Sequence, residues 1–95
     1  MPKGYVILTE AIKDPEGMKA YARAAGAAMG EVSILAVGTA PEVVEGTWHG
    51  DQTVVLEFES VDAARAWYES EAYQKAAKLR QAAADCNAVI ISGFG

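Results

Sequence analysis

Tyr73 and Arg80 stand seven residues apart in a stretch with helical spacing, so they share one helix face with Ala76 and Ala77. Small neighbours leave space beside a guanidinium, whose paired N–H groups suit a carboxylate from Glu45 or from a ligand. The plainer alternative is that Arg80 complements the C-terminal dipole of its helix and pairs at the surface. Trp67 and Tyr68 lie mid-helix and read first as core anchors, because large aromatic side chains dominate burial. Tyr5 and Tyr21 read the same way, except that a buried phenol requires a hydrogen-bond partner. Two or three phenols converging on one cavity would form a polar-tipped aromatic pocket. The candidate ligand-binding set is therefore Tyr5, Tyr21, Glu45, Trp67, Tyr68, Tyr73 and Arg80.

Other reactive side chains are few. His49, the single histidine, is the one group that ordinarily titrates near neutrality. It lies between Trp48 and Gly50 in a turn-like stretch, which favours a solvated turn histidine over a general base. Glu57 falls within a strand, where a fully covered charge is costly, so a pairing partner or a barrel opening is expected. A buried carboxylate there would be a general-base candidate. Cys86, the only cysteine, reads as a small apolar filler near a strand start. One His and one Cys without clustered carboxylates give no metal-site spacing, and no cofactor is expected. Haem ligation by His49 has no neighbouring motif behind it. Gly-rich phosphate loops, nucleophile elbows and Ser–His–Asp patterns are absent.

These residues must be held by a small framework. A chain of 95 residues points to one domain over residues 1–95. Thirteen acidic against eight basic residues give a net charge of −5, which repels phosphate backbones and argues against nucleic-acid binding. A lone cysteine fits a reducing, cytoplasmic setting. Met1-Pro2-Lys3-Gly4 leads into an apolar stretch too short for a signal-peptide core or a membrane span.

Hydrophobic periodicity alternates between two and 3.6. Residues 4–12 form a strand rich in β-formers. Asp14-Pro15 opens a helix with Asp14 as N-cap, and Met18, Tyr21, Ala22, Ala25 and Met29 mark its buried stripe. Gly30 serves as C-terminal cap. A second strand covers 32–38 and a loop follows from Thr39 to Gly46. A third strand spans about 48–59, with a possible break at His49–Gln52 and its centre at 53–58. Ser60 caps a second helix and Ser70 caps its restart toward Ala84. The last strand covers 86–92. This order gives an α+β, ferredoxin-like βαββαβ domain with a four-stranded antiparallel sheet and both helical segments on one face.

The strands carry too much apolar surface for that arrangement alone. Tyr5 and Ile7 oppose Val6 and Leu8, Ile34 and Ala36 oppose Leu35 and Val37, and Val89 and Ile91 oppose Ala88 and Ile90. A sheet with one face in water should alternate apolar and polar residues. The second apolar face is expected to be covered by the sheet of a second copy, in a homodimer.

Several segments also resemble one family. They are Gly4-Tyr5-Val6, Asp14-Pro15-Glu16 with Tyr21, the run Ala40 to Gly46, Leu56-Glu57-Phe58, Ala63 to Tyr68, Ser70, Tyr73 and Arg80. Over essentially the whole chain the sequence resembles the domain-of-unknown-function family numbered 1330, of the dimeric α/β-barrel superfamily. That resemblance implies a ferredoxin-like fold with face-to-face sheet pairing and no established chemistry. The wider superfamily includes cofactor-free monooxygenases, haem-degrading enzymes and isomerases, but fold analogy at that distance carries little weight. Family members commonly carry a Gly pair before strand two and an arginine toward its end, where this chain has Glu31-Val32 and Val37. A basic pocket wall would then be missing, which weakens the expectation of an anionic ligand.

The leading expectation is a homodimeric small-molecule-binding domain. The alternative is a cofactor-independent, oxygenase-like or isomerase-like enzyme with Glu45, His49 or a tyrosine as acid or base. A purely structural module without ligand is the third.

Overall fold

The computed structural model describes residues 2–30 and 32–95. Met1 and Glu31, both used above, lie outside the described residues. The elements follow in the order β1 (Gly4–Ile12), α1 (Pro15–Ala28), β2 (Ser33–Thr39), β3 (Gln52–Phe58), α2 (Val61–Glu69), α3 (Glu71–Ala83) and β4 (Ala84–Ser92). The sheet runs β2-β3-β1-β4 with every neighbouring pair antiparallel. This is the expected ferredoxin-like α+β topology, with the second helical segment split in two. The molecule measures 37 × 35 × 16 Å, a helix layer on a sheet layer.

Local chemistry accounts for most boundaries. Ser60 Oγ accepts from the Ala63 N–H at 3.0 Å, and Ser70 Oγ accepts from the Tyr73 N–H at 3.2 Å. The second cap is what breaks α2 from α3. At α1 the expected Asp14 side-chain cap is absent. Instead the Lys13 and Asp14 N–H groups both donate to Ala83 O at 2.9 Å, which fixes the chain's entry from outside the helix. Pro15 then sets the first turn. The third strand starts at Gln52 rather than Trp48, because Gly50 adopts φ +81° and turns the chain just before it. The last strand begins two residues earlier than expected, since Ala11 and Ile12 extend the ladder to Asp85 and Ala84.

The strand faces need one correction. Val6, Leu8, Leu56 and Phe58 face the helices and are buried, as the alternation of β1 requires. In β2 the register shifts between Ile34 and Ala36, which leaves Leu35 as an extra residue. Ile34 and Val37 therefore share the helix side, opposite Leu56 and Val54, and Ala36 faces outward with Val55. α1 packs on α3, and Ile34 and Val37 stay more than half exposed at 54% and 56%. On the outer face Val89 and Ile91 are about half exposed, beside the half-buried Tyr5, Ile7 and Val55. Apolar surface is thus left on both sides of the sheet.

The core has two parts. Val6, Leu8, Leu56, Phe58 and Ala64 join the sheet to α2. Met18, Tyr21, Ala25, Tyr73, Ala76, Ala77 and Ala83 join α1 to α3. The alanines bring the two helices close, which places large polar-tipped side chains deep between the layers.

Candidate functional site

Helical spacing on α3 puts Tyr73, Ala76, Ala77 and Arg80 on one fully buried face. α1 meets it with Tyr21, whose phenol lies 2.8 Å from the Tyr73 phenol. The two rings meet edge to face at 79°, and the Arg80 guanidinium carbon sits 5.8 Å from the centre of the Tyr21 ring. Trp67 stacks on Tyr73 with ring centres 4.0 Å apart, Tyr68 lies 5.5 Å from Tyr73, and Phe58 backs Trp67 at 5.3 Å. Five of the residues singled out from the sequence, namely Tyr21, Trp67, Tyr68, Tyr73 and Arg80, thus form one aromatic and cationic cluster.

β1 adds a sixth group. Glu10 points to the helix side, level with Gln52 on β3 and Cys86 on β4, and is 0% exposed. Gln52 Nε2 donates to Glu10 Oε1 at 2.7 Å, whereas Oε2 has no protein partner. Arg80 is 1% exposed, and its Nε and Nη2 groups also have none. Among the described residues, the pair forms no ion bridge within 4.0 Å. Burial pushes the Glu10 carboxyl above its ordinary range, against the opposing pull of the Gln52 hydrogen bond and the Arg80 charge. Burial likewise raises both phenols, Tyr21 and Tyr73. A guanidinium and a carboxyl therefore share one interior without an ion bridge; the Tyr73 phenol and the Cys86 thiol neighbour the guanidinium, and Nε, Nη2 and Glu10 Oε2 keep free hydrogen-bonding capacity. A bound group that satisfied both would remove two desolvation penalties at once.

The backbone around Glu10 is tightly set. Asp51 N–H donates to Glu10 O at 2.9 Å, Asp51 Oδ1 accepts from Ile12 N–H at 2.9 Å, and Gly50 lies against the Glu10 carbonyl. A side chain at Gly50 would collide with that carbonyl. On the other side of Trp67 a cleft of about 440 Å³ opens between the ends of β1, β2, β3 and α2, with Met29, Val32, Phe58 and Lys3 in its walls. Trp67 belongs to both the cleft and the interior, and its Nε1–H donates to Ala28 O at 3.0 Å.

The remaining sequence candidates lie elsewhere. Tyr5 faces the outer side of the sheet and donates to Glu57 Oε2 at 3.0 Å, so Glu57 pairs with a phenol rather than a cation. Glu45 is exposed in the loop before β3, beside a shallow apolar pocket with Val43, Val44 and Trp48. The carboxylate facing Arg80 is Glu10, not Glu45. His49 is partly exposed and also held in place: its Nδ1 lies 2.7 Å from Thr9 Oγ1 and its Nε2 3.6 Å from Asp85 Oδ2. Trp48 Nε1–H donates to Thr53 Oγ1 at 2.9 Å, so residues 48 and 49 strap one end of the outer face. Cys86 Sγ lies 3.5 Å from Ala84 O and 3.7 Å from Arg80 O, half-buried in β4. Among the described residues no group of three or more His, Cys, Asp and Glu side chains is placed to hold a metal ion. No described helix is long and apolar enough to cross a membrane.

Glu10 and Gln52 are the functional candidates that sequence reasoning missed. A signal existed: Glu10 occupies an even position of β1, the same parity as buried Val6 and Leu8, where a charge is out of place.

Fold and interior together define a ferredoxin-like α+β domain with a charged, aromatic-walled centre between helices and sheet. The chain belongs to the family described as Domain of unknown function (DUF1330), whose model matches residues 3–94. Among solved structures, it is similar to a protein of unknown function from Rhodopseudomonas palustris, at 20% identity and a TM-score of 0.74, covering 99% of this chain and 84% of that one. A dimeric ferredoxin-like protein of unknown function from Thermobifida fusca matches at 16% identity and a TM-score of 0.66, covering 96% and 91%. SnoaB, a cofactor-independent oxygenase from Streptomyces nogalater, matches at 10% identity and a TM-score of 0.70, covering 100% and 96%. At these identities the likenesses establish the fold. No curated protein matches the chain.

Proposed function

We propose that this chain is a single-domain, homodimeric small-molecule-binding protein whose ligand sits among Tyr21, Trp67, Tyr68, Tyr73 and Arg80. One observation carries the reading: a guanidinium 1% exposed, with two N–H groups that no protein atom accepts. A buried cation is costly unless paired and hydrogen-bonded, and a structural role would be filled as well by an apolar residue. A ligand acceptor explains its retention. The apolar outer face of the sheet supports pairing with a second copy, as does the description of the Thermobifida fusca relative as dimeric. Tyr5 falls on that face and is assigned to the subunit contact, while Glu45 is left without a role. The lone Cys86 fits a cytoplasmic protein. The test is a thermal-shift screen against a metabolite library, since a ligand of the native state raises the melting temperature. A library that shifts wild type and Arg80→Lys alike would sink the reading.

A second reading, cofactor-independent oxygenase-like or isomerase-like catalysis, is favoured by Glu10. A buried carboxyl held above its ordinary range is a general-base candidate, a role the sequence suggested for Glu45 or His49. SnoaB has this fold and is a cofactor-independent oxygenase. Turnover of a bound compound that survives Glu10→Gln unchanged would remove Glu10 from any such mechanism.

A further inference from the structure

The two unpartnered groups of Arg80 are not an arbitrary pair. Nε–H and Nη2–H point the same way from the planar guanidinium and form its side-on fork, the edge that grips a carboxylate through two parallel hydrogen bonds. Across the same interior, Glu10 Oε2 is free while Oε1 is occupied by Gln52. The site therefore offers a planar two-donor edge on one side and a single carboxyl oxygen on the other. We propose that it binds a small 2-oxygenated carboxylic acid, a 2-hydroxy or 2-keto acid. The carboxylate lies on the Nε/Nη2 fork of Arg80 and the 2-oxygen hydrogen-bonds Glu10 Oε2. This rests on the binding role proposed above and names the class of ligand.

Burial sets its size. Glu10, Tyr73 and Arg80 are all 1% exposed or less, so the acid must be compact. Charge sets its protonation. A ligand carboxylate beside an ionised Glu10 would leave two negative charges against one buried cation, which is unfavourable at low dielectric. Binding therefore proceeds with Glu10 protonated, its O–H donating to the 2-oxygen, and takes up one proton wherever the free carboxyl is ionised. The groups facing Glu10 are Tyr21 from α1, Arg80 from α3, Gln52 from β3 with Asp51 just before it, and Cys86 from β4.

Calorimetric titration with three matched probes tests this. Lactate carries both groups, propionate lacks the 2-oxygen, and lactamide lacks the charge. Lactate is expected to bind about tenfold more tightly than propionate, the scale of one hydrogen bond, and at least about tenfold more tightly than lactamide, which loses the charge on the fork. Its affinity should strengthen from pH 8 to pH 5 in the wild type and stay flat in Glu10→Gln, where Oε1 can still accept from Gln52. Arg80→Lys, which keeps the charge but loses the fork, should weaken lactate by about tenfold or more while circular dichroism shows it folded. Propionate equal to lactate would overturn the inference but leave a carboxylate-binding pocket. Lactamide equal to lactate would overturn it through the Arg80 fork. Failure of all three probes also overturns it. The metabolite screen then decides separately whether the pocket itself survives: a shift lost in Arg80→Lys keeps it, and none removes it.

Discussion

At the level of single residues, the interior couples a carboxyl and a guanidinium that both lack full protein satisfaction. The coupling is lopsided, because burial of the Glu10 carboxyl outweighs the opposing pull of the Arg80 charge. Arg80→Met removes the cation that partly offsets the burial of Glu10, so urea unfolding should show it losing more stability than wild type as pH rises from about 4 to about 8. The double variant Glu10→Gln/Arg80→Met should regain most of that loss; equal stability of the single and double variants would contradict the coupling. The pH dependence of Glu10 has a definite sign. Its folded carboxyl titrates above the ordinary value, so the folded state binds more protons and stability falls as pH rises from the ordinary carboxylate range through the folded value. Glu10→Gln should therefore melt at a higher temperature than wild type at pH 8 and at nearly the same temperature at pH 4. The tyrosine pair is simpler. Tyr73→Phe leaves a buried Tyr21 hydroxyl without its 2.8 Å partner and should cost about 1–3 kcal/mol, with the double phenylalanine variant less damaged than additivity predicts. Tyr73 and Arg80 were legible in the sequence because a helix repeats every 3.6 residues, so seven positions return to one face. Glu10 was overlooked because a single charge near a strand end reads as the strand leaving the core. Only the pairing of β1 with both β3 and β4 carries that position inside.

At the level of elements, short-range chemistry was the most readable part. Ser60 and Ser70 act as helix caps where their spacing placed them, whereas Asp14 does not, because long-range bonds to the Ala83 carbonyl take over the entry to α1. The bulge at Leu35 has no local signature in Ser33–Thr39, so the facing of Ile34 and Val37 became clear only from the register with β3. Gly50 links element to site. It holds φ +81° and lies against the carbonyl of Glu10, so Gly50→Ala is both strained and crowded. That variant should lose about 1–3 kcal/mol, and it should weaken any ligand by displacing Glu10. Chemical denaturation alongside calorimetry would check both, and an unchanged ligand affinity would detach the turn from the site.

At the level of the whole molecule, a sheet with helices on one side leaves Val89, Ile91 and their neighbours outside, with Trp48 and His49 strapping only one end. A second copy is the proposed cover. Light scattering should give twice the chain mass, and Val89→Asp should shift it toward the monomer by placing an unpaired charge in the contact. A monomeric wild type at micromolar concentration would contradict this. The uncovered apolar surface was foreseeable because apolar residues on both strand faces exceed what one helix layer covers. The interior was only half foreseeable, since its cation lies in a periodic helix and its carboxyl does not. The central claim is that the Arg80 fork exists to hold a bound acid. The most direct measurement is a high-resolution crystal structure grown with lactate. It should show the carboxylate on Nε and Nη2 and the 2-oxygen on Glu10 Oε2; a direct Arg80–Glu10 ion pair with lactate excluded would contradict it.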